Sequence, residues 1–159
     1  LLTFSRCWPM MALTYQIGVI IVSLKLIKTS FFYLIAGLVG GVFYREFTKF
    51  NGFSGQRTVL ANVHLHLLML GMLFFLVAAL LEKQFGLSQE KKFQWFYRLY
   101  NPGLVITAGT FIWRGVLQVR GAELSRALDA SISGIAGVGH ALLGLGLIFF
   151  FLALLKRAR

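Results

Sequence analysis

The stretch that decides the fold is residues 58–81, which read TVLANVHLHLLMLGMLFFLVAALL and include no aspartate, glutamate, lysine or arginine. The hydrocarbon core of a bilayer is about 30 Å thick, and a helix rises about 1.5 Å per residue, so roughly 20 apolar residues are needed to cross it. Residues 58–81 meet this requirement. The stretch therefore predicts a transmembrane α-helix.

Similar segments lie on both sides of this stretch, at about residues 29–45, 96–117 and 132–155. The segment at 29–45 is short, but preceding apolar residues lengthen it if Lys25 and Lys28 extend their ammonium groups toward the headgroups. Asn101-Pro102-Gly103 is expected to kink the third segment or delay its start. We predict an all-α fold, an integral membrane bundle of about four transmembrane helices formed by residues 25–159.

The N-terminal residues 1–24 do not match this pattern as well. The apolar run from Met10 to Leu24 has about 15 residues, includes Gln16, and is not followed by a signal-peptide cleavage motif. We interpret residues 1–24 as a dubious N-terminal extension that lies outside the four-helix domain.

Composition supports a membrane environment and argues against nucleic acid as a partner. Of 159 residues, 58% are hydrophobic and 13% are charged, with 16 basic against 5 acidic side chains. The basic residues lie at the ends of apolar runs, where they reach lipid headgroups, rather than in one aromatic-rich polar patch. The single Cys7 offers no intrachain disulfide. The expected partner is the lipid bilayer.

The distribution of lysine and arginine predicts the orientation, because cytoplasmic loops carry an excess of both. With Arg6 of the N-terminal extension set aside, nine basic residues fall on the side of the two termini, and six fall on the other side. The nine are Lys25, Lys28, Lys83, Lys91, Lys92, Arg98, Lys156, Arg157 and Arg159; the six are Arg45, Lys49, Arg57, Arg114, Arg120 and Arg126. We expect a multi-pass protein of the cell membrane with both termini in the cytoplasm.

All three histidines, His64, His66 and His140, lie inside predicted spans. An ionisable side chain is costly in hydrocarbon, so it is expected to face the bundle interior and to have a partner. His64 lies about 9 Å from the exterior end of its span, and His66 and His140 lie about 12 Å from theirs. This shared depth makes the histidines candidate metal or haem ligands.

Small residues surround His140: Ala136, Gly137 and Gly144 share its helix face. Such a face admits a flat cofactor, although close helix packing also uses small residues. On the second span His64 shares a face with Ala61 and Gly71, whereas His66 points about 200° away. We expect His140 and His64 to ligate haem b, with His66 as the alternative ligand; His66 could instead hydrogen-bond Asn62.

Two arginines are expected near the exterior ends of the spans. Arg114 and Arg45 are candidates to bind a haem propionate through paired hydrogen bonds. The alternatives are that Arg114 extends to the headgroups, or that Arg45 pairs with its neighbour Glu46. No phosphate-binding loop, nucleophile elbow, HExxH or CxxC motif occurs, which argues against ordinary hydrolysis and leaves open whether the protein is an enzyme.

Three stretches carry a resemblance to a known family. Residues 37–49 (GLVGGVFYREFTK), 63–72 (VHLHLLMLGM) and 133–144 (SGIAGVGHALLG) resemble a family of small uncharacterised bacterial membrane proteins, known chiefly from Gram-positive bacteria as a domain of unknown function. The resemblance extends from about Lys25 to the C-terminus. The resemblance implies a four-helix membrane fold, but it does not indicate what activity the protein has.

A weaker resemblance involves one helix. His64-Leu65-His66 followed by Gly71 is similar to the His-x-His helix of haem-copper oxidase catalytic subunits, in which the two histidines bind different haems. The copper ligands and remaining helices of those proteins have no counterpart here, so oxygen reduction is not supported. A b-type haem, which has no covalent link to the protein, is compatible with the sequence, since no covalent attachment motif is present.

These patterns lead to three hypotheses of different classes. The first is a membrane haem-binding or electron-transfer protein, whose redox partner or quinone the sequence does not identify. The second is a structural or accessory membrane protein whose histidines only make interhelical hydrogen bonds. The third is a small metal or solute transporter that uses His66, Met69 and Met72.

Overall fold

The protein consists of four long helices in the part of the chain that the structure describes. The computed structural model describes residues 7–159, with side chains from residue 13 onward. The helices are α1 (Cys7–Phe50), α2 (Ala61–Phe85), α3 (Lys91–Val119) and α4 (Arg126–Arg157), and a short 3-10 turn, Leu87–Gln89, precedes α3. The predicted all-α, four-helix architecture is confirmed.

The helices run alternately up and down, which places two loops at one end of the bundle. The α1–α2 and α3–α4 loops lie at this two-loop end, where Thr58 donates a hydrogen bond of 3.0 Å to Gln118. The α2–α3 turn and the C-terminus lie at the C-terminal end, where Lys156 forms a 2.7 Å ion pair with Glu90.

Three of the described helices are long and apolar enough to cross a membrane: Leu13–Phe50 within α1, Ala61–Phe85 and Arg126–Arg157. The predicted span 96–117 lies within α3, which is not among the helices apolar enough to cross a membrane. Arg98, Asn101 and Arg114 interrupt its apolar sequence. Three apolar helices are consistent with a membrane protein, and α3 is the most polar member of the bundle.

The first helix is longer than the predicted span 29–45. It is continuous from Cys7 to Phe50, so the predicted extension 1–24 is helical from Cys7 onward, and residues 1–6 lie outside the described residues. In α3, Pro102 lies inside a helix that already begins at Lys91, so the Asn101-Pro102-Gly103 sequence does not delay the helix start.

Aromatic rings form the centre of the bundle. Phe74 of α2 packs against Phe96 of α3 (centroids 5.8 Å apart) and Phe150 of α4 (5.2 Å). Phe75 stacks on Tyr33 of α1 at 5.7 Å. Such pairs stabilise the core beyond the burial of their area, and here they join all four helices.

Glycines set the closest approach between α3 and α4. A Cβ atom added at Gly139 would lie 2.6 Å from the Thr107 Oγ1 atom, and one at Gly146 would lie 2.9 Å from the Tyr100 Cβ atom. Because these positions have no side chain, the two backbones pack directly against each other. This packing is typical of helix pairs in membranes.

The turn at the C-terminal end is organised by a buried carboxyl group. Glu82 is fully buried, and it accepts hydrogen bonds from the Ser88 backbone N–H (2.7 Å) and hydroxyl (2.5 Å). Gly86, with a φ of 60°, occupies the left-handed conformation that ends α2. Together they fix the direction in which the chain enters α3.

Candidate functional site

The site begins with a change in helix winding on α2. Residues Ala61–His66 are α-helical, Leu67–Leu73 form a π-helical segment, and Phe74–Phe85 return to the α-helix. A π segment widens the helix and is frequent at functional sites. Two of its carbonyl oxygens accept hydrogen bonds from neighbouring helices, Leu70 from the Tyr100 hydroxyl (2.9 Å) and Met72 from the Ser30 hydroxyl (2.7 Å).

His66, the residue just before the π segment, faces α3 and α4. Its ring lies 4.8 Å from the Phe111 ring and 6.5 Å from the His140 ring, measured between centroids, and the two imidazole planes are nearly perpendicular at 83°. Phe111 also contacts His140, at 6.1 Å. The structure therefore brings His66 and His140 together beside one phenylalanine.

Each of these two histidines is held by its own helix. The Nδ1 atom of His66 lies 2.9 Å from the Asn62 carbonyl oxygen, and the Nδ1 atom of His140 lies 2.8 Å from the Ala136 carbonyl oxygen. A carbonyl can only accept, so the Nδ1 atom of each ring carries a proton, and a ring in its neutral form then presents the Nε2 lone pair. This is the tautomer in which histidine ligates a metal through Nε2.

His64 lies on a different side of α2. Its ring stacks against Tyr44 of α1 (centroids 6.3 Å apart, 15° between planes) and lies over Gly41, and its Nδ1 atom is buried without a hydrogen-bond partner. The structure does not bring together the preferred pair of His64 and His140, because His64 faces α1. The alternative, His66, is the histidine that meets His140.

The small residues beside His140 leave open space. A Cβ atom added at Gly137 or Gly144 would meet no atom within 4 Å, and His140 itself is exposed on the bundle surface. This face of α4 therefore does not serve close packing within the bundle, whereas Gly139, on the opposite face, does. The space beside these two glycines therefore lies on the outer surface of the bundle.

Arg114 already has partners on α4. Its Nη2 atom lies 2.5 Å from the Asp129 carboxylate and 2.8 Å from the Ser133 hydroxyl, and its Nε atom is buried without a partner. It thus joins α3 to α4 at the two-loop end instead of extending to the headgroups. Ser133 precedes His140 by seven residues, so this ion pair lies about 10 Å from His140 toward that end.

Arg45 has no comparable environment. Its side chain is 79% exposed, and its Nε atom is 3.7 Å from the Glu46 carboxylate, which is the simple interfacial pair that the sequence offered as an alternative. A pair this exposed contributes little to stability. Arg45 is not brought to the two clustered histidines.

Sequence reasoning missed Phe111 and Asp129. Phe111 is one of 16 phenylalanines and has no distinguishing sequence signal. Asp129 has such a signal, because an acidic residue in the first turn of the helix that follows an arginine of a predicted span is a natural ion-pair partner. Among the side chains that the structure describes, residues 13–159, no group of three or more His, Cys, Asp or Glu is placed to hold a metal ion.

Comparison with known proteins identifies the family and no activity. No curated protein and no solved structure matches the chain, and the one-helix similarity to haem-copper oxidases finds no support. A family model described as "Protein of unknown function (DUF2871)" matches residues 23–157. The match begins two residues before Lys25 and covers all four helices except the start of α1, as the sequence resemblance predicted. The chain belongs to this family of proteins of unknown function.

Proposed function

We propose that the protein is a membrane haem-binding protein in which His66 and His140 are the axial ligands of a b-type haem. The observation that carries this proposal is the pair of imidazoles on different helices, each fixed through Nδ1 to a carbonyl one turn earlier, with centroids 6.5 Å apart. Neither Nε2 atom has a hydrogen-bond partner within the described residues.

The distance fits a shared iron. Metal–imidazole nitrogen bonds are about 2 Å long, so two imidazoles on opposite sides of one ion have centroids about 6 Å apart. The open space at Gly137 and Gly144 gives a macrocycle room beside His140. Phe111 contacts both rings and provides an apolar wall. The residues present therefore fit the group.

A bound haem would supply one-electron redox chemistry. The protein's own residues perform more limited tasks: the Asn62 and Ala136 carbonyls orient the imidazoles, and Phe111 limits the access of water. The Arg114–Asp129 pair holds α3 and α4 together on the two-loop side of the ligands. A role for Arg114 toward a propionate belongs to this proposal, because its buried Nε atom still lacks a partner.

The proposed location is the cell membrane, with both termini in the cytoplasm and α3 as the fourth crossing. α3 carries the polar residues that hydrocarbon disfavours, but several of them face other helices. Asn101 accepts a hydrogen bond from Tyr33 of α1, and Thr107 is fully buried. Membrane-embedded polar residues are tolerated when they face the bundle interior in this way. The charge asymmetry of the loops supports the orientation.

The test is haem binding by the full chain, purified without a tag in a neutral detergent and titrated with haemin. The wild-type protein is expected to bind one haem and to show a low-spin Soret band that shifts on reduction with dithionite. The variants His66→Ala and His140→Ala are each expected to lose this low-spin spectrum, since each removes an axial ligand. His64→Ala is the matched control, two residues from His66, and is expected to retain it.

Three results would contradict the proposal. A low-spin spectrum that persists in His140→Ala would exclude His140 as a ligand. A spectrum that is lost in His64→Ala but retained in His66→Ala would favour His64 and His140 as the ligands. Absence of a Soret band under all conditions would remove haem altogether. Copper bound without haem would favour the transporter hypothesis, and binding of neither would favour the structural one.

A further inference from the structure

A depression in the protein surface lies on the other side of the bundle, between α1 and α3. It is a groove of about 870 Å³, and it is separate from the histidine cluster because its walls come from the α1 side of α3. Its polar members are Lys25, Lys28, Thr29, Tyr33, Tyr97 and Asn101; its apolar members are Ile21, Leu24, Phe32, Pro102 and Val105. We propose that this groove binds one anionic phospholipid.

The groove is basic. Lys25 and Lys28 are three residues apart on one face of α1, and neither has an ion-pair partner within the described residues. No acidic side chain is among the residues that line the groove. Two unpaired ammonium groups on one wall attract an anion, and a lipid phosphate is the anion that a membrane presents at this level.

Hydrogen bonds fix the polar wall. The Lys25 ammonium lies 4.1 Å from the centroid of the Tyr97 ring, a cation–π contact. The Tyr97 hydroxyl is 2.9 Å from the Thr29 hydroxyl, and Tyr33 donates to the Asn101 side-chain oxygen at 3.0 Å. Because Lys25 is held over an ordered ring, less side-chain freedom is lost when it binds a phosphate.

The position and the apolar wall distinguish a lipid from a soluble anion. The groove lies toward the C-terminal end, since Lys25 also borders a smaller cavity with Ser88 of the α2–α3 turn. From this level Phe32 and Val105, which are 64% and 57% exposed, continue toward the middle of the bundle. A headgroup at the lysines would therefore place its acyl chains along an apolar surface.

The experiment compares two lipids with the same acyl chains. The full chain in a neutral detergent is titrated with dioleoylphosphatidylglycerol or dioleoylphosphatidylcholine, and the bound fraction is measured by native mass spectrometry. The wild-type protein is expected to bind one phosphatidylglycerol in preference to phosphatidylcholine. The double variant Lys25→Gln, Lys28→Gln is expected to weaken phosphatidylglycerol binding by roughly tenfold.

The matched control is Lys91→Gln with Lys92→Gln. It removes the same charge at the same end of the bundle from exposed residues that do not line the groove, and it is expected to change binding by less than about twofold. Equal weakening by both double variants would show that only the total charge matters and would overturn the proposal. So would equal binding of the two lipids.

Two further measurements test lipid binding in the groove even if the lysine variants fold poorly. Val105→Trp fills the exposed apolar wall without changing charge and is expected to reduce lipid binding; unchanged binding would contradict the proposed path of the acyl chains. Inorganic phosphate, added at millimolar concentration, is expected not to displace phosphatidylglycerol. Full displacement would show that the groove recognises a soluble anion and not a lipid. The result is independent of haem binding.

Discussion

Gly139 and Gly144 lie on the same helix but differ in their surroundings. A Cβ atom at Gly139 would lie 2.6 Å from Thr107 Oγ1 and 3.0 Å from Thr107 N, whereas one at Gly144 would meet nothing within 4 Å. We expect Gly139→Ala to lower the free energy of unfolding by about 1–3 kcal/mol, because the backbone of α3 must move. Thermal or SDS unfolding in detergent measures the loss.

The control for this substitution is Gly144→Ala, which is expected to leave stability unchanged or slightly raised, since alanine favours the helix. Equal losses in the two variants would mean that the cost comes from something other than the α3–α4 contact. Both proteins should be compared without haem, because Gly144 belongs to the face of the proposed cofactor.

The histidines show which part of the site sequence alone could predict. Their cost in hydrocarbon and the equal depth of His66 and His140 were readable from residue counting, and the structure does place these two rings side by side. The preference for His64 relied on Gly71 as a source of space. That space is filled by the Tyr33 ring, whose Cγ atom would lie 2.5 Å from a Cβ atom added at Gly71. The sequence of α2 alone does not indicate that a side chain of α1 occupies this space.

At the scale of the elements, the turn between α2 and α3 depends on Glu82. Removing its carboxyl group in Glu82→Ala leaves the Ser88 N–H and hydroxyl without an acceptor and opens a cavity. We expect a loss of about 2–4 kcal/mol, because buried hydrogen-bonding groups left unpaired are costly. Chemical unfolding in detergent provides the measurement.

Ser88→Ala is the graded comparison for Glu82→Ala. It removes the hydroxyl partner but keeps the backbone N–H bond, so a loss of about 1 kcal/mol is expected. If Ser88→Ala were as harmful as Glu82→Ala, the hydroxyl alone would account for the effect, and the role assigned to the backbone bond would be wrong.

Helix existence was easier to predict than helix ends. The predicted second span began at Thr58, but α2 begins at Ala61, because the Thr58 hydroxyl bonds to Gln118 and accepts from the Leu60 N–H. The predicted third span is 96–117, whereas α3 begins at Lys91. Hydropathy marks the apolar part of a helix, while hydrogen bonds of the turns decide where it starts.

At the scale of the whole molecule, the orientation gives a direct prediction. Reporter fusions placed after Arg159 and within residues 86–90 are expected to show cytoplasmic activity, and fusions within residues 51–55 and 121–125 exterior activity. Paired alkaline phosphatase and green fluorescent protein fusions measure this. The reverse pattern would invert the assignment, and fusions at 51–55 and 121–125 that disagree with each other would show that α2 and α3 do not both cross the membrane.

The four-helix bundle could be predicted from the lengths of the apolar segments, but the contacts between residues of different helices could not. Four segments with short loops imply alternating helices. Which face of α2 meets α1 and which meets α4 depends on helix rotation, and regular α-helical periodicity does not hold through residues 67–73. The preferred pair was His64 and His140, but the rotation of α2 about its axis places His66 beside His140 instead.

The π segment of α2 amounts to an α-helix that has accommodated an inserted residue. His66 lies before the insertion and Phe74 after it, so the insertion sets the angular offset between the helix face that carries His66 and the aromatic core. A relative that lacks one residue between these positions would keep the core only by turning its histidine away from α4. The spacing between this histidine and this phenylalanine, counted in other members of the family, therefore separates those able to form the site from those that share only the bundle.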